Sequence, residues 1–306
     1  MTARREARQT ERGQKEAGGY VSAPTVRRRQ LGRTLRSIRE KLGLTQEEAA
    51  ENTGGRISPA KLSRIETARN AASASDVEAL LDLYGVSDAD VRRDMIRLTR
   101  EGSQRGWWQS YRSVLSPVYE DLISLEAEAS TIRTWQLASI PGLLQTPQYA
   151  HAAIASTAMS KAITDRVQAL VEVRLARQSV LSRSEPLRLR AIIGEAALRT
   201  RLPDASVMYD QLSRLVHFAS MPNVDVQVLP ITAPLTVGQT GSFSILGFGE
   251  LAELSVVHLE QLTSALYVED ATQVSTYADA HESLTAAALS VEQSLDLITH
   301  ARDQKP

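Results

Sequence analysis

The chain has 306 residues, 42% of them hydrophobic and 23% charged, with a formal net charge of −1; this is room for two or three domains with cores of their own. It contains no cysteine, which excludes disulfides, thiolate metal sites and cysteine nucleophiles, and no apolar run nears the roughly eighteen residues of a membrane span. The near-neutral total hides an asymmetry: residues 1–106 carry 21 Lys+Arg against 15 Asp+Glu, 107–306 carry 14 against 21, and 201–306 alone carries 4 against 13. A basic beginning joined to an acidic end points to a polyanion that meets only the first part of the chain. With no apolar segment behind the charged N-terminus and no cysteine, the expected location is the reducing cytoplasm, with no membrane partner.

Residues 1–26, charged and poor in large apolar groups, read as a flexible arm. Residues 27–104 hold five short helical patterns. The first carries Leu31, Leu35, Ile38 and Leu42 and ends near Gly43. The second starts at Thr45, with Glu48 completing a capping box. The third lies in "TGGRISPAKLSRIE", the fourth places Val77, Leu80, Leu81 and Tyr84 on one stripe, and the fifth packs Val91, Met95 and Leu98. None is long enough to stand alone, so they must share one core.

Residues 105–185 read as a helical linker or subdomain. It opens on Trp107, Trp108, Tyr111 and Tyr119, runs through "DLISLEAEASTIRTWQ", breaks at "IPGLLQTPQYA" and ends in a long helix over 163–181. Residues 186–306 read as an α+β domain. "LRLRAII", "VDVQVLP", "SFSILGF", "LSVVHLE" and "ALYVE" are strand-like, with helices over 206–220 and 271–301. The fold class predicted is therefore multidomain: an all-α N-terminal domain, a helical linker and an α+β C-terminal domain.

The second and third helices have the order of a helix-turn-helix, in which the first helix crosses the DNA backbone and the second lies in the major groove. Pro59 begins the reading helix instead of breaking it. Ser58 is the N-cap, and at the first helical position proline gives up an N–H that has no partner there. At helical spacing Leu62 and Ile65 face the core, while Ala60, Ser63 and Arg64 face outward with Lys61 on the flank. Arg64 or Lys61 suits guanine O6/N7. Gln46 suits phosphate, Arg56 and Arg69 flank the helix, and Arg27, Arg28 and Arg29 form a basic run expected on phosphate. Double-stranded DNA is thus the expected partner, and a homodimer is expected because one short reading helix gives limited specificity.

The stretch "GLTQEEAAENTGGRISPAKLSRIETAR" resembles the Cro/CI-type (XRE) helix-turn-helix family through Thr45, Gln46, Ala50, Gly54, Ser58, Ser63, Arg64, Ile65 and Glu66. Two features depart from it. The turn after Gly54 is two residues longer, through Gly55 and Arg56, and Pro59 stands where the family often has a base-reading glutamine. The resemblance implies a structural Glu66 paired with an arginine such as Arg39. Further on, "WWQSY", "LEAEASTIRTWQ" and "IPGLLQTPQYA" resemble the large domain of actinobacterial regulators of the WhiJ-like type. That resemblance implies a transcription regulator that often acts with a small partner protein.

The large domain shows no metal-ligand spacing, P-loop or G-x-S-x-G elbow, and no cofactor is expected. "VGQTGSFS" reads as a hairpin more readily than as a phosphate cradle. Trp107, Trp108, Tyr111, Leu143, Leu144 and Tyr149 are core or a ligand or partner surface. Two alternatives stand beside the regulator. One is an enzyme loosely similar to ADP-ribosyltransferases, with Arg190, Ser242 or Ser244, and Glu260 as its set. The other is an antitoxin-like partner-binding protein.

Overall fold

The computed structural model describes residues 26–99, 107–159, 161–249, 255–262 and 264–304. Residues 1–25 of the expected arm lie outside them.

The N-terminal domain is five helices: α1 (Val26–Lys41), α2 (Gln46–Asn52), α3 (Pro59–Glu66), α4 (Ala74–Leu83) and α5 (Ala89–Leu98). Leu31, Leu35, Leu62, Ile65, Val77, Leu80, Leu81, Met95 and Leu98 are all buried in one core. Leu42 is instead 50% exposed, because α1 ends one residue before it. Each of the next four helices starts on a side-chain cap, at Thr45, Ser58, Ser73 and Asp88, which answers backbone donors the short helices leave open. Helix α1 crosses the end of α3 at Gly32, where a Cβ would stand 2.5 Å from the Ile65 carbonyl oxygen; the missing side chain permits that approach.

The C-terminal domain is α+β. Its chain order is α6 (Pro117–Glu128), β1 (Thr131–Gln136), α7 (Pro147–Ser156), α8 (Lys161–Thr164), α9 (Val167–Arg177), β2 (Arg188–Gly194), α10 (Glu195–Leu198) and α11 (Ala205–Ala219). There follow β3 (Val224–Leu229), β4 (Phe243–Gly247), β5 (Val256–Glu260), β6 (Ala265–Val268), α12 (Ala271–Ala287) and α13 (Val291–Asp303). The six strands form one sheet in the order β3-β2-β1-β4-β5-β6. The β1–β2 and β2–β3 pairs are parallel, and the other three are antiparallel.

Three expectations are corrected here. The 105–185 stretch is not a helical linker throughout, for "TIRTWQ" is β1, a central strand of the sheet. The helix expected over 163–181 is α8, α9 and a 3-10 turn at Gln178–Leu181, and the one over 271–301 is two helices parted at a Ser290 capping box. "VGQTGSFS" makes no hairpin, because β3 and β4 are not neighbours; its Gly238 carbonyl accepts from Trp135 Nε1 at 2.9 Å.

Both faces of the sheet are covered. Trp135, Ile192, Phe243, Ile245 and Val257 pack with Val274 and Leu284 of α12. Ile132, Leu189, Ala191, Ile193 and Leu246 pack on the other face with Leu122 and Leu125 of α6 and Leu212 and Leu215 of α11. His281 of α12 is 2% exposed, near Arg133, Arg190 and Glu282. Burial, then the Arg133 charge, pushes its ring down from 6.5 to about 4. The folded state therefore binds fewer protons here than the unfolded chain. This stabilisation is complete above pH 6.5 and is lost as pH falls from 6.5 toward 4, at most roughly 3 kcal/mol. In thermal unfolding, His281→Asn is expected to show a smaller drop in Tm between neutral and mildly acidic pH than the wild type.

Candidate nucleic-acid interface and C-terminal cavity

Helices α2 and α3 are joined by residues 53–58, where Gly54 and Gly55 take positive φ of 65° and 81°. Such angles cost a side-chain-bearing residue energy that glycine is spared, so the two extra residues of this turn are accommodated without strain. Thr53 Oγ1 accepts from the Ile57 N–H at 3.2 Å and donates to the Ala50 carbonyl at 2.6 Å, and Ile57 is buried at the turn's end. Ser58 Oγ then accepts from the Lys61 N–H at 3.2 Å, with Pro59 at the first helical position. The helix begins as its sequence requires.

Leu62 and Ile65 of α3 face the core; Ala60 and Arg64 are exposed and Ser63 is half-buried beside them. Arg56, Arg64 and Arg69 are exposed and form no ion pair among the described residues. Lys61 behaves differently. Its ammonium bonds Asp76 Oδ1 of α4 at 2.6 Å, so the flank residue is held against the domain and not turned outward with Arg64. Asp76 is lowered by Lys61 and Ser73 bonding in spite of the opposing effect of burial, the largest single influence on it.

Glu66 is the anchor of the two helices. Its side chain is 0% exposed and accepts from Arg39 Nε at 2.6 Å, Arg39 Nη2 at 2.9 Å and Gln46 Nε2 at 2.7 Å. Hydrogen bonding to Glu66 raises the Arg39 guanidinium against the opposing effect of burial. Gln46, expected on phosphate, thus commits one of its two amide N–H groups to Glu66. Arg29 also turns inward: its Nε bonds Glu269 Oε1 at 3.0 Å, and Arg33 bonds the other oxygen. Arg29 of the basic run and Arg33 thus meet the C-terminal domain at Glu269, which engages Arg29 Nε, one of the donors expected on phosphate.

The aromatic and apolar residues expected as a ligand or partner surface fall into two groups. Trp107, Trp108 and Tyr111 lie on a 3-10 turn, with Trp107 edge-on to both rings, and Tyr111 Oη donates to Glu172 at 3.2 Å. Leu143, Leu144 and Tyr149 are buried at 4%, 0% and 4% and so form no outer surface, while Leu143 also lines the cavity described next. "IPGLLQTPQYA" is a knot of internal bonds: Tyr149 Oη accepts from the Ile140 N–H, Gln145 Nε2 donates to the Ile140 carbonyl, and buried Gln211 bridges Thr146 and Leu144.

A cavity of about 140 Å³ opens between α6, α9, the 137–145 loop and the sheet, lined by Gln136, Gln145, Arg174, Arg177, Ser242, Ser244, His258 and Glu260 among others. The pleat decides which expected residues meet there. Ser244 pairs in register with Thr134 and His258, and these share one face. Arg190 pairs with Arg133, one residue out of phase, so its side chain leaves on the α12 face and lies 3.7 Å from Asp225. The Arg190, Ser242 and Glu260 set is not brought together; only Ser242, Ser244 and Glu260 reach the cavity. Arg174, Gln145 and His258 were not singled out from sequence, because they come from a helix, a loop and a strand that no spacing links.

Arg177, at the cavity floor, donates from Nε and Nη2 to the two Glu126 oxygens at 2.6 Å each and from Nη1 to Tyr119 Oη at 2.6 Å. Its guanidinium is raised by Glu126 against a large opposing effect of burial. His258 is lowered chiefly by burial and is therefore neutral near pH 7.

No helix among the described residues is long and apolar enough to cross a membrane. Residues 30–93 match a helix-turn-helix domain family. Neither a curated protein nor a solved structure matches the chain. The helix-turn-helix match, on the geometry just described, supports a DNA-binding regulator. Residues 119–300, more than half of the chain, match the family described as "Domain of unknown function (DUF5753)", and the protein belongs to that family, with a helix-turn-helix domain ahead of it.

Proposed function

We propose that this protein is a sequence-specific transcription regulator of the Cro/CI type that binds DNA as a homodimer in the cytoplasm and whose C-terminal domain receives a ligand or a small partner protein. The observation that carries the reading is the outer face of α3. Ala60, Ser63 and Arg64 stand together on it, flanked by Arg56 and Arg69, and the three arginines form no ion pair among the described residues. Small residues permit close approach to the groove, a hydroxyl and a guanidinium suit base edges, and the flanking arginines suit phosphate. The acidic C-terminal part holds α1 through Glu269, whose side chain is 3% exposed. That contact supports control of the reading domain by whatever the C-terminal domain receives.

Binding to genomic fragments at near-physiological salt tests the reading. Ser63→Ala/Arg64→Ala is expected to lose about 10²-fold in affinity at preferred sites while sequence-blind binding changes little. Discrete sites bound equally by both forms would sink it.

A further inference from the structure

We propose that the cavity at the carboxyl end of β1 is a binding site for a small polar molecule that carries a carboxylate or phosphate for Arg174 and a hydroxyl or ammonium group for Glu260. The proposal names the ligand class for the receiving domain of the preceding reading and rests on that reading for its consequence at DNA.

The place is suited to a ligand. β1 pairs parallel with β2 and antiparallel with β4, and toward its carboxyl end Gln136 meets the 139–145 loop, Ser242 and Ser244 in a concave lining of converging polar groups, the kind of place that holds small molecules. The cavity, about 140 Å³, is far larger than the space one water occupies.

The lining divides into groups that are already satisfied and groups that are not. Arg177, Glu126 and Tyr119 form a closed set, so the floor brings no net charge. Thr134, Ser244 and Gln136 bond one another. Arg174 is different: Nη1 donates to Gln145 Oε1 at 3.0 Å, but its buried Nε has no partner among the described residues. The guanidinium has only this neutral partner and forms no ion pair among the described residues, and an oxyanion is the group that answers an arginine best, through charge-assisted bonds. Glu260 is exposed at the cavity wall with no ion pair among the described residues. Between these charges stand Ser242, whose oxygen accepts from the Leu137 N–H and leaves its own O–H to donate, and His258, whose buried ring makes no hydrogen bond among the described residues and lies 5.1 Å from the Tyr267 ring. A neutral imidazole offers one donor and one acceptor. One uncompensated cation, one uncompensated anion and a few neutral bonding groups describe a hydroxy acid, an amino acid or a sugar phosphate.

The test is titration calorimetry on the full chain without DNA. One arm uses inorganic phosphate and ribose 5-phosphate, the other L-serine and L-tartrate. At least one probe is expected to bind the wild type; the arm that responds identifies the oxyanion. Arg174→Gln is expected to weaken that probe by tenfold or more, Arg174→Lys by less, and Glu260→Gln, on the exposed wall, to weaken the hydroxyl- or ammonium-bearing probes while leaving inorganic phosphate unchanged. All three should keep the wild-type melting temperature in the absence of probe. No binding in either arm, or binding that Arg174→Gln and Glu260→Gln leave within twofold, would overturn the proposal. Should Arg174→Gln fail to fold, Arg174→Lys and Glu260→Gln decide on the same criterion. The site is measured without DNA and the regulator reading without probe, so either can fail while the other stands.

Discussion

Arg177→Ala is expected to lower the free energy of unfolding by about 3–5 kcal/mol, because it leaves the buried Glu126 carboxyl without the partner that bonds both its oxygens. The Arg177 and Glu126 side chains are each 7% exposed, and their two bonds are 2.6 Å long. In a domain of this size the loss corresponds to a fall in Tm of roughly 6–20 °C. A double replacement, Arg177→Met with Glu126→Leu, removes both charges while keeping much of the volume, and is expected to recover most of the loss. With the single variants Arg177→Met and Glu126→Leu, the pair forms a cycle that thermal unfolding can read. If Arg177→Ala melts within about 2 °C of the wild type, water must reach Glu126 and the pair is not buried in solution as it is here.

The second large effect falls on DNA binding without touching a DNA-facing residue. Glu66→Ala deprives Arg39 and Gln46 of their shared acceptor and is expected to cost about 3–5 kcal/mol, as removal of one member of a buried pair does. The α2 and α3 helices, at seven and eight residues, are far too short to persist without their tertiary contacts. Hydrogen exchange should therefore quicken throughout Gln46–Glu66, and site-specific binding should be lost with it. Glu66→Gln keeps the shape and gives up the charge, so its loss should be smaller. Binding that survives Glu66→Ala at full strength would show that the Arg39–Glu66 bond does not fix the angle between the helices.

Much of the fold could be read in the sequence because the signals were local. Thr45 with Glu48, and Ser58 with Pro59, announce two helix starts through groups at most three residues apart, and the structure has both. The five strands after residue 186 were bounded by Gly, Pro and Asn and lie where their composition put them. β1 was missed because nothing of that kind separates it from α6. The helix ends at Ala129 by an extended backbone angle, without a glycine, and "TIRTWQ" begins two residues later. For the site, the strand character of β2 and β4 was visible, but that β1 would stand between them, and in which register, was not. A shift of one residue in register exchanges the faces; through β1, which lies between the two strands, the register puts Arg190 level with Ile245 and on the opposite face from Ser244. The partners of Lys61 and Arg29, Asp76 and Glu269, lie 15 and 240 residues away; no spacing rule could have shown that these cations were already engaged.

The placement of β1 also governs how the chain can be divided. A fragment starting at Pro186 would contain every strand but this one, leaving β2 and β3 on one side of a gap and β4, β5 and β6 on the other. Each remnant would present an unpaired inner edge lined with apolar side chains such as Ile192 and Ile245, the kind of edge that recruits other chains. Such a fragment should aggregate, whereas one that starts before Pro117 keeps α6 and β1 and with them the continuous six-stranded sheet. Expression boundaries for the C-terminal half are therefore set by a strand that lies more than fifty residues upstream of the next one.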